Sequence, residues 1–270
     1  MKSWPMVLTT VAILLAVVCG SSGANIKVSV VKSWGDVPVF QELTDNWSAY
    51  GSTQLAIDAS LMNVSNFTYQ DLVDTDADVI WLSDPAGGAR RYSAAEITAV
   101  MDYAAAGHSI LGTYATLQFA DCDNRGLADV FGLRSDIQYN TWEAPASQRF
   151  DILVDHPLFN GIPNPYVTSG YYNAQVPAND EKWDAGDLGA AQLLARTDDG
   201  RGIITWYETD AYHASYVSEM VEYNGSTVDT QFLYNALTIP EPATLLLLGL
   251  GAVRFFRLKS TNSPINIRCA

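Results

Sequence analysis

The sequence predicts an α/β fold organised around one strand–helix–strand unit at residues 78–114. The short apolar run over 78–85 is typical of a strand that is buried on both faces. Ser93, with Glu96 three residues later, forms a capping-box signature for a helix. The run over 109–112 predicts a second buried strand. Two strands joined by a helix over short connections lie parallel in one sheet with a right-handed crossover.

The other elements of the body follow from apolar periodicity and turn residues. Further strands are predicted over 26–31, 54–58, 150–154, 191–196 and 202–207, and extended chain over 137–145. The strands over 191–196 and 202–207 are predicted to form a hairpin. Further helices are predicted over 38–46, 69–73, 125–131 and 226–237. Asn124 is predicted to cap the helix over 125–131, and Gly132 to end it.

The amino terminus has the pattern of a secretory signal peptide over residues 1–24. Lys2 precedes an apolar run over 7–18, and small residues follow it up to Ala24. The run is too short for an ordinary membrane-spanning helix. A lipoprotein reading at Cys19 is disfavoured because the bulky Val18 precedes it.

The carboxyl terminus resembles the PEP-CTERM sorting signal of exported Gram-negative bacterial proteins over residues 239–259. The motif residues are Pro240, Glu241 and Pro242, and an apolar run and a basic stop follow them. A short membrane helix with cations at one end agrees with the positive-inside pattern. The resemblance implies recognition by an exosortase-type enzyme, transient residence in the inner membrane, and delivery to the cell surface or extracellular matrix. Residues 260–270 form an atypical tail beyond the basic stop.

Composition restricts the partners of the body at residues 25–238. The chain of 270 residues has a formal net charge of −15, so phosphate backbones would repel it, and nucleic-acid binding is not expected. Cys122 is the single cysteine between the two targeting segments and cannot form an internal disulfide. Residues 121–124 lack the spacing of a calcium loop, because Arg125 and Gly132 replace ligands there. No cofactor and no metal are predicted.

The body resembles the class I glutamine-amidotransferase-like superfamily, and within it the trehalose-utilisation, ThuA-like, branch. The resemblance is carried by fold-marking phrases at 78–85, 92–113, 123–133, 156–163, 200–207 and 223–237. It implies a flavodoxin-like three-layer sandwich with a mostly parallel sheet. The signal peptide and the short C-terminal membrane helix flank this domain.

Catalytic members of the superfamily place a cysteine nucleophile after the strand that corresponds to 109–112 and use a later His-x-Glu pair. Here Thr113 and Tyr114 stand at that elbow, and His213 is followed two residues later by Ser215. A threonine hydroxyl is a poor nucleophile without an adjacent base. The amidotransferase triad is therefore absent, which favours a protein that is not an enzyme without deciding the matter.

The candidate ligand-binding residues are those expected at the carboxyl ends of the strands, where such sheets hold ligands. They are Asp84, Thr113, Tyr114 and His213. The weak catalytic candidates are His213, Thr113 and Glu219. A loop histidine without function is the competing interpretation of His213. A plain turn with solvated Arg90 and Arg91 is the competing interpretation of Asp84.

Three functions remain open on the sequence alone. The first is an exported surface protein that binds a polar ligand or a polysaccharide without catalysis. The second is a sugar-directed hydrolase or isomerase in which His213 is the general base with Asp84 or Glu219. The third is a structural component of the extracellular matrix. The ligand, the oligomeric state and glycosylation at the Asn-x-Ser/Thr sites stay undetermined.

Overall fold

The computed structural model describes residues 25–33, 38–83, 91–119, 122–143, 147–169, 173–177, 183, 188–222 and 226–239. The predicted signal peptide, Asp84, and the sorting residues Pro240, Glu241 and Pro242 lie outside these ranges, as do the predicted membrane helix and the tail. Within these ranges, no helix has the length and apolar character needed to cross a membrane.

The described chain alternates strands and helices in its first half and is mainly strands in its second half. The helices are α1 (Pro38–Asp45), α2 (Tyr69–Asp74), α3 (Ala94–Ala105) and α4 (Thr227–Thr238). The strands are β1 (Asn25–Val31), β2 (Gln54–Asp58), β3 (Val79–Leu82), β4 (Ser109–Thr113), β5 (Gln118–Phe119), β6 (Cys122–Asp123), β7 (Tyr139–Glu143), β8 (Arg149–Ile152), β9 (Tyr166–Val167), β10 (Asn173–Pro177), β11 (Gln192–Thr197), β12 (Ile203–Glu208) and β13 (His213–Val217).

One large sheet has the strand order β2-β1-β3-β4-β13-β12-β11-β8-β9. Its first five strands are parallel and follow the order 2-1-3-4-5 of flavodoxin-like folds, with β13 in the fifth place. The remaining neighbours pair antiparallel. The α/β class is thus confirmed, while the sheet is mixed. The predicted hairpin of β11 and β12 accounts for part of the antiparallel half, because a short turn reverses the chain.

Helices cover both faces of the sheet, because the central strands are buried on both sides. Neighbouring residues of β3 point to opposite faces. Trp81 packs in one core cluster with Phe40 of α1 and Phe232 of α4. Ile80 packs in the other cluster with Val100 of α3. The predicted three layers therefore follow from strands that are apolar at every position.

The signals at the start of α3 and at residues 124–132 gave different outcomes. The Ser93 side chain accepts a hydrogen bond from the Glu96 amide, and the Glu96 carboxylate accepts one from the Ser93 amide, which confirms the capping box. Asn124 holds the predicted N-cap position, but its side chain makes no capping hydrogen bond, because its Oδ1 accepts a hydrogen bond from the Tyr92 amide instead. The segment that follows is a 3₁₀ helix, which Gly132 ends in a left-handed conformation (φ 65°).

A fully buried ion pair fastens β1 to the start of α3. Lys32 directly follows β1, and its Nζ lies 3.0 Å from Glu96 Oε1, with both side chains 1% exposed. The same Nζ donates to the Arg91 carbonyl oxygen and lies 4.6 Å from the centre of the Tyr92 ring. Buried charges need such partners, because the interior solvates them poorly. The pair therefore fixes one corner of the parallel half.

Glu96→Gln is expected to lower the free energy of unfolding by about 3–5 kcal/mol, because Lys32 would stay buried without its counter-ion. Chemical denaturation followed by circular dichroism measures this change. Lys27→Gln is the matched control, since it breaks the exposed ion pair with Asp76 and should leave the midpoint unchanged. Equal effects of the two substitutions would contradict the importance of the buried pair.

Candidate functional site

At the carboxyl edge of the sheet, where the parallel strands end, hydrogen bonds converge on the side chain of Glu222. Ser83 follows β3, Thr113 ends β4, and Glu222 lies five residues beyond the end of β13. Glu222 Oε1 accepts hydrogen bonds from Ser83 Oγ and from Thr113 Oγ1, both at 2.6 Å. Thr113 Oγ1 also accepts one from Trp81 Nε1 at 3.2 Å. These contacts join the ends of three adjacent strands.

Glu222 is held in an environment that favours its neutral form. Burial raises its pKa, the hydrogen bonds from Ser83 and Thr113 oppose this, and the charge of Asp229 adds to the increase. Its Oε2 is buried and has no hydrogen-bond partner among the described residues. A neutral carboxyl can occupy such a place, whereas an unpaired carboxylate would be strongly destabilising. The group therefore accepts two hydrogen bonds in surroundings that disfavour its charged form.

Glu219 is a second buried carboxyl at the same edge. Its Oε2 accepts a hydrogen bond from Thr168 Oγ1 at 2.9 Å. Burial raises the pKa of Glu219 to about 8, with the Thr168 hydrogen bond opposing this and the charges of Asp229 and Asp199 adding to it. Its Oε1 is buried without a partner among the residues described. At neutral pH Glu219 is thus mainly protonated.

Asp229 is the third carboxyl and the one that is fully hydrogen-bonded. It lies in the first turn of α4, where the helix dipole favours a negative charge. Its Oδ1 accepts from the Tyr166 hydroxyl at 2.6 Å, and its Oδ2 accepts from the Ser169 amide and hydroxyl at 2.9 and 2.6 Å. Burial, followed by the Asp229 charge, raises the pKa of Tyr166. This group anchors the segment after β9 to α4.

Tyr114 occupies the elbow that the resemblance assigns to a nucleophile. It directly follows β4 and has a left-handed backbone conformation, with φ at 47°. This conformation is unusual for a bulky residue and marks local strain. Its side chain is buried, and its carbonyl oxygen accepts a hydrogen bond from the Tyr216 hydroxyl at 2.8 Å. The geometry of a sharp elbow is therefore present, with a buried aromatic ring at its tip.

His213 lies at the amino ends of the parallel strands, whereas Thr113 lies at their carboxyl ends. It is the first residue of β13, and its Nδ1 is 3.2 Å from the hydroxyl of Ser109, the first residue of β4. Ser109 and Thr113 are the two ends of β4, about 13 Å apart along an extended strand. The prediction of one cleft shared by Thr113, Tyr114 and His213 is therefore wrong in its geometry. His213 stands at the amino end of its strand, and the prediction had placed it at the carboxyl end.

The surroundings of His213 favour a neutral imidazole. Its ring stacks on Trp206 with the ring centres 4.5 Å apart. Burial lowers the pKa of His213 to about 4, and the nearby His156 adds to this. Its Nε2 has no hydrogen-bond partner within the described ranges. The competing interpretation as a loop histidine is also wrong, because the residue is paired in β13.

The structure separates the acid–base pair of the second hypothesis. His213 begins β13 and Glu219 lies two residues beyond its end, so the length of the strand, about 13 Å, separates the two ends at which they lie. General acid–base catalysis needs both groups within hydrogen-bond reach of one substrate. His213 and Glu219 therefore do not form one catalytic pair.

Sequence reasoning missed Glu222 and Asp229 as members of this edge. Glu222 carries no local signature, since its partners are 139 and 109 residues away. Asp229 comes three residues after Ser226, a spacing typical of helix capping, which would have indicated only a local role. Within the described ranges, no three His, Cys, Asp or Glu side chains are grouped to hold a metal ion.

The terminal segment matches a known sorting signal. The PEP-CTERM protein-sorting motif matches residues 238–259. This motif is recognised by an exosortase, and it implies secretion with sorting to the cell surface or the extracellular space. No curated protein is similar in sequence to this chain.

Solved structures resemble the body in fold. A cytoplasmic protein from Salmonella typhimurium shares 13% identity at a TM-score of 0.55, with 80% of this chain and 99% of that chain covered. A second cytoplasmic protein from Salmonella typhimurium LT2 shares 14% identity at a TM-score of 0.53, covering 78% and 97%. A ThuA-like protein from Bacteroides uniformis shares 13% identity at a TM-score of 0.47, covering 80% and 91%. ThuA-like proteins are thus among the solved structures that this chain resembles, and at these identities the similarity concerns the fold alone.

Thr113→Val is expected to lower the free energy of unfolding by about 1–3 kcal/mol, because it removes a donor to Glu222 and the acceptor for Trp81. Thr205→Val supplies a matched control, since the Thr205 hydroxyl is buried without a partner in the described chain. That change should be neutral or stabilising. Equal losses for both variants, measured by denaturant titration, would contradict the assigned hydrogen bonds.

The stability of the domain is expected to fall between about pH 5 and pH 8 because of Glu219. In the folded chain Glu219 keeps its proton up to about pH 8. In the unfolded chain it loses the proton near its ordinary pKa of 4.5. The unfolded state then binds fewer protons, so stability decreases by about 1.4 kcal/mol per pH unit for this group. Glu219→Gln should flatten the profile and be more stable than the wild type at pH 8.

Thermal unfolding over this pH range checks the profile. Glu42→Gln is the control, because side-chain hydrogen bonds from Asn46 and Tyr50 lower the pKa of Glu42. That variant should keep the fall of the wild type. A Glu219→Gln profile as steep as the wild type's would refute the buried neutral carboxyl.

Proposed function

We propose that this protein is an exported, surface-sorted protein whose α/β domain binds a polar extracellular ligand without transforming it. The observation that carries the proposal is the elbow after β4, where the buried Tyr114 stands in place of a nucleophile. The adjacent Thr113 hydroxyl is buried, donates a hydrogen bond to Glu222 and accepts one from Trp81, so it is not free to attack a substrate. The sorting motif supports a destination where the ligands are extracellular polymers and their fragments.

The hydrolase or isomerase hypothesis has less support, because His213 and Glu219 lie at opposite edges of the sheet. A matrix component without a specific ligand differs from our proposal by one property, namely saturable binding. The distinction between these functions therefore depends on turnover first and on binding second.

Turnover is the direct test. We expect the full chain to release no ammonia from glutamine and no nitrophenol from nitrophenyl glycosides, because the Thr113 hydroxyl at the elbow is buried and already hydrogen-bonded to Glu222 and Trp81. Tyr114→Cys is expected to stay inactive, since Ser215 stands where the superfamily's His-x-Glu pair requires glutamate. Wild-type turnover that disappears in Thr113→Val, with the fold retained, would overturn the proposal.

A further inference from the structure

A groove of about 240 Å³ lies between the start of α2 and the outer side of α3. Phe67 and Ala99 are buried at its base, with exposures of 2% and 4%. Tyr69, from the first turn of α2, is 39% exposed, and its ring is in a T-shaped contact with the ring of Tyr103, with the ring centres 6.3 Å apart. Asp102 lines the groove from α3. The groove thus combines an apolar base, a partly exposed aromatic ring and a carboxylate.

Three polar groups along this groove are not used by the fold. These groups are the side-chain amide of Asn66, the hydroxyl of Tyr69 and the carboxylate of Asp102. None of them makes a hydrogen bond or an ion pair with another described residue. By contrast, the hydroxyls of Thr68 and Ser93, which also line the groove, cap α2 and α3. An amide donates and accepts, a carboxylate accepts, and a phenol does both. This set of groups matches adjacent hydroxyls on a ligand.

We propose that this groove binds a single neutral sugar unit of an extracellular polysaccharide. Tyr69 would pack against the C–H face of the sugar ring, whose slightly positive hydrogens suit the negative face of an aromatic ring. Asn66 and Asp102 would hydrogen-bond its hydroxyls. The proposal rests on the proposed function, since export brings the domain to such polymers.

Size and charge select this ligand class. The volume is below the roughly 300–1,000 Å³ of pockets for drug-sized ligands, so one small ring fits better than a larger molecule. The chain's net charge of −15 and the carboxylate of Asp102 repel uronates, sulfated sugars and phosphates. A neutral sugar meets both restrictions.

The buried ion pair organises the groove before any ligand arrives. Asn66 has a left-handed backbone conformation (φ 60°), which asparagine tolerates better than most residues. Its backbone amide donates a hydrogen bond at 2.8 Å to Glu96 Oε1, the oxygen that also faces Lys32. The capping box of Thr68 and Asp71 fixes the start of α2 beside it. A site held in this way loses little conformational entropy when it binds.

Saturation-transfer NMR on the full chain tests the proposal with glucose, galactose, mannose and N-acetylglucosamine, and with glucuronate as the charged probe. At least one neutral sugar should bind saturably, and glucuronate should bind more weakly. Tyr69→Ala and Asp102→Asn should each weaken that binding by about tenfold or more. Asp102 is exposed and Tyr69 partly so, so both variants should stay folded, which their circular-dichroism spectra check.

Two matched variants locate the site. Met101→Ala changes an exposed residue of α3 that does not line the groove, and Asp74→Asn removes the same charge from α2 outside it. Both should bind as the wild type does. Saturable binding that survives Tyr69→Ala and Asp102→Asn, or no binding of any neutral sugar, would overturn this inference.

The outcome separates the inference from the proposed function. A chain that neither binds these sugars nor turns over any substrate would refute the groove and leave the non-catalytic surface protein in place. A chain that converts a bound sugar to product would refute the proposed function, whichever variants lose binding.

Discussion

The parallel half of the sheet depends on how its carboxyl edge is closed. Glu222 follows β13 in the chain and accepts hydrogen bonds from Ser83 and Thr113, at the ends of β3 and β4. One carboxyl therefore connects three strand ends. Ligands of flavodoxin-like sheets bind at this edge, in the crevice outside the strands. In this chain, the protein's own side chains fill part of that crevice. The edge is thus used for cohesion, which agrees with an elbow that carries no nucleophile.

The domain buries ionisable groups in two different ways. Lys32 and Glu96 are kept as an ion pair with additional hydrogen bonds on both partners. Glu219 and Glu222 have no cation beside them among the described residues, and their burial raises both pKa values. A buried charge persists when it is paired and is neutralised by a proton when it is not. The two arrangements place a rigid corner at β1 and a pH-sensitive one at β13.

The sequence predicted the local features well and the long-range ones poorly. The capping box at Ser93, the strand before Thr113 and the late hairpin have signals within a few residues, and all three are confirmed. The convergence on Glu222 needs residues more than a hundred positions apart, which no local pattern reveals. His213 was assigned to the wrong edge because no strand was predicted over residues 213–217, so its place as the first residue of β13 was not foreseen.

The left-handed backbone at Tyr114 also restricts how this position can change during evolution. Glycine or asparagine would relieve the backbone strain but leave the space of a buried ring unfilled, and a large β-branched residue would fill space only by worsening the strain. Single steps towards a reactive side chain therefore pass through less stable chains. A sequence that has adopted tyrosine at such an elbow is held there by its own packing.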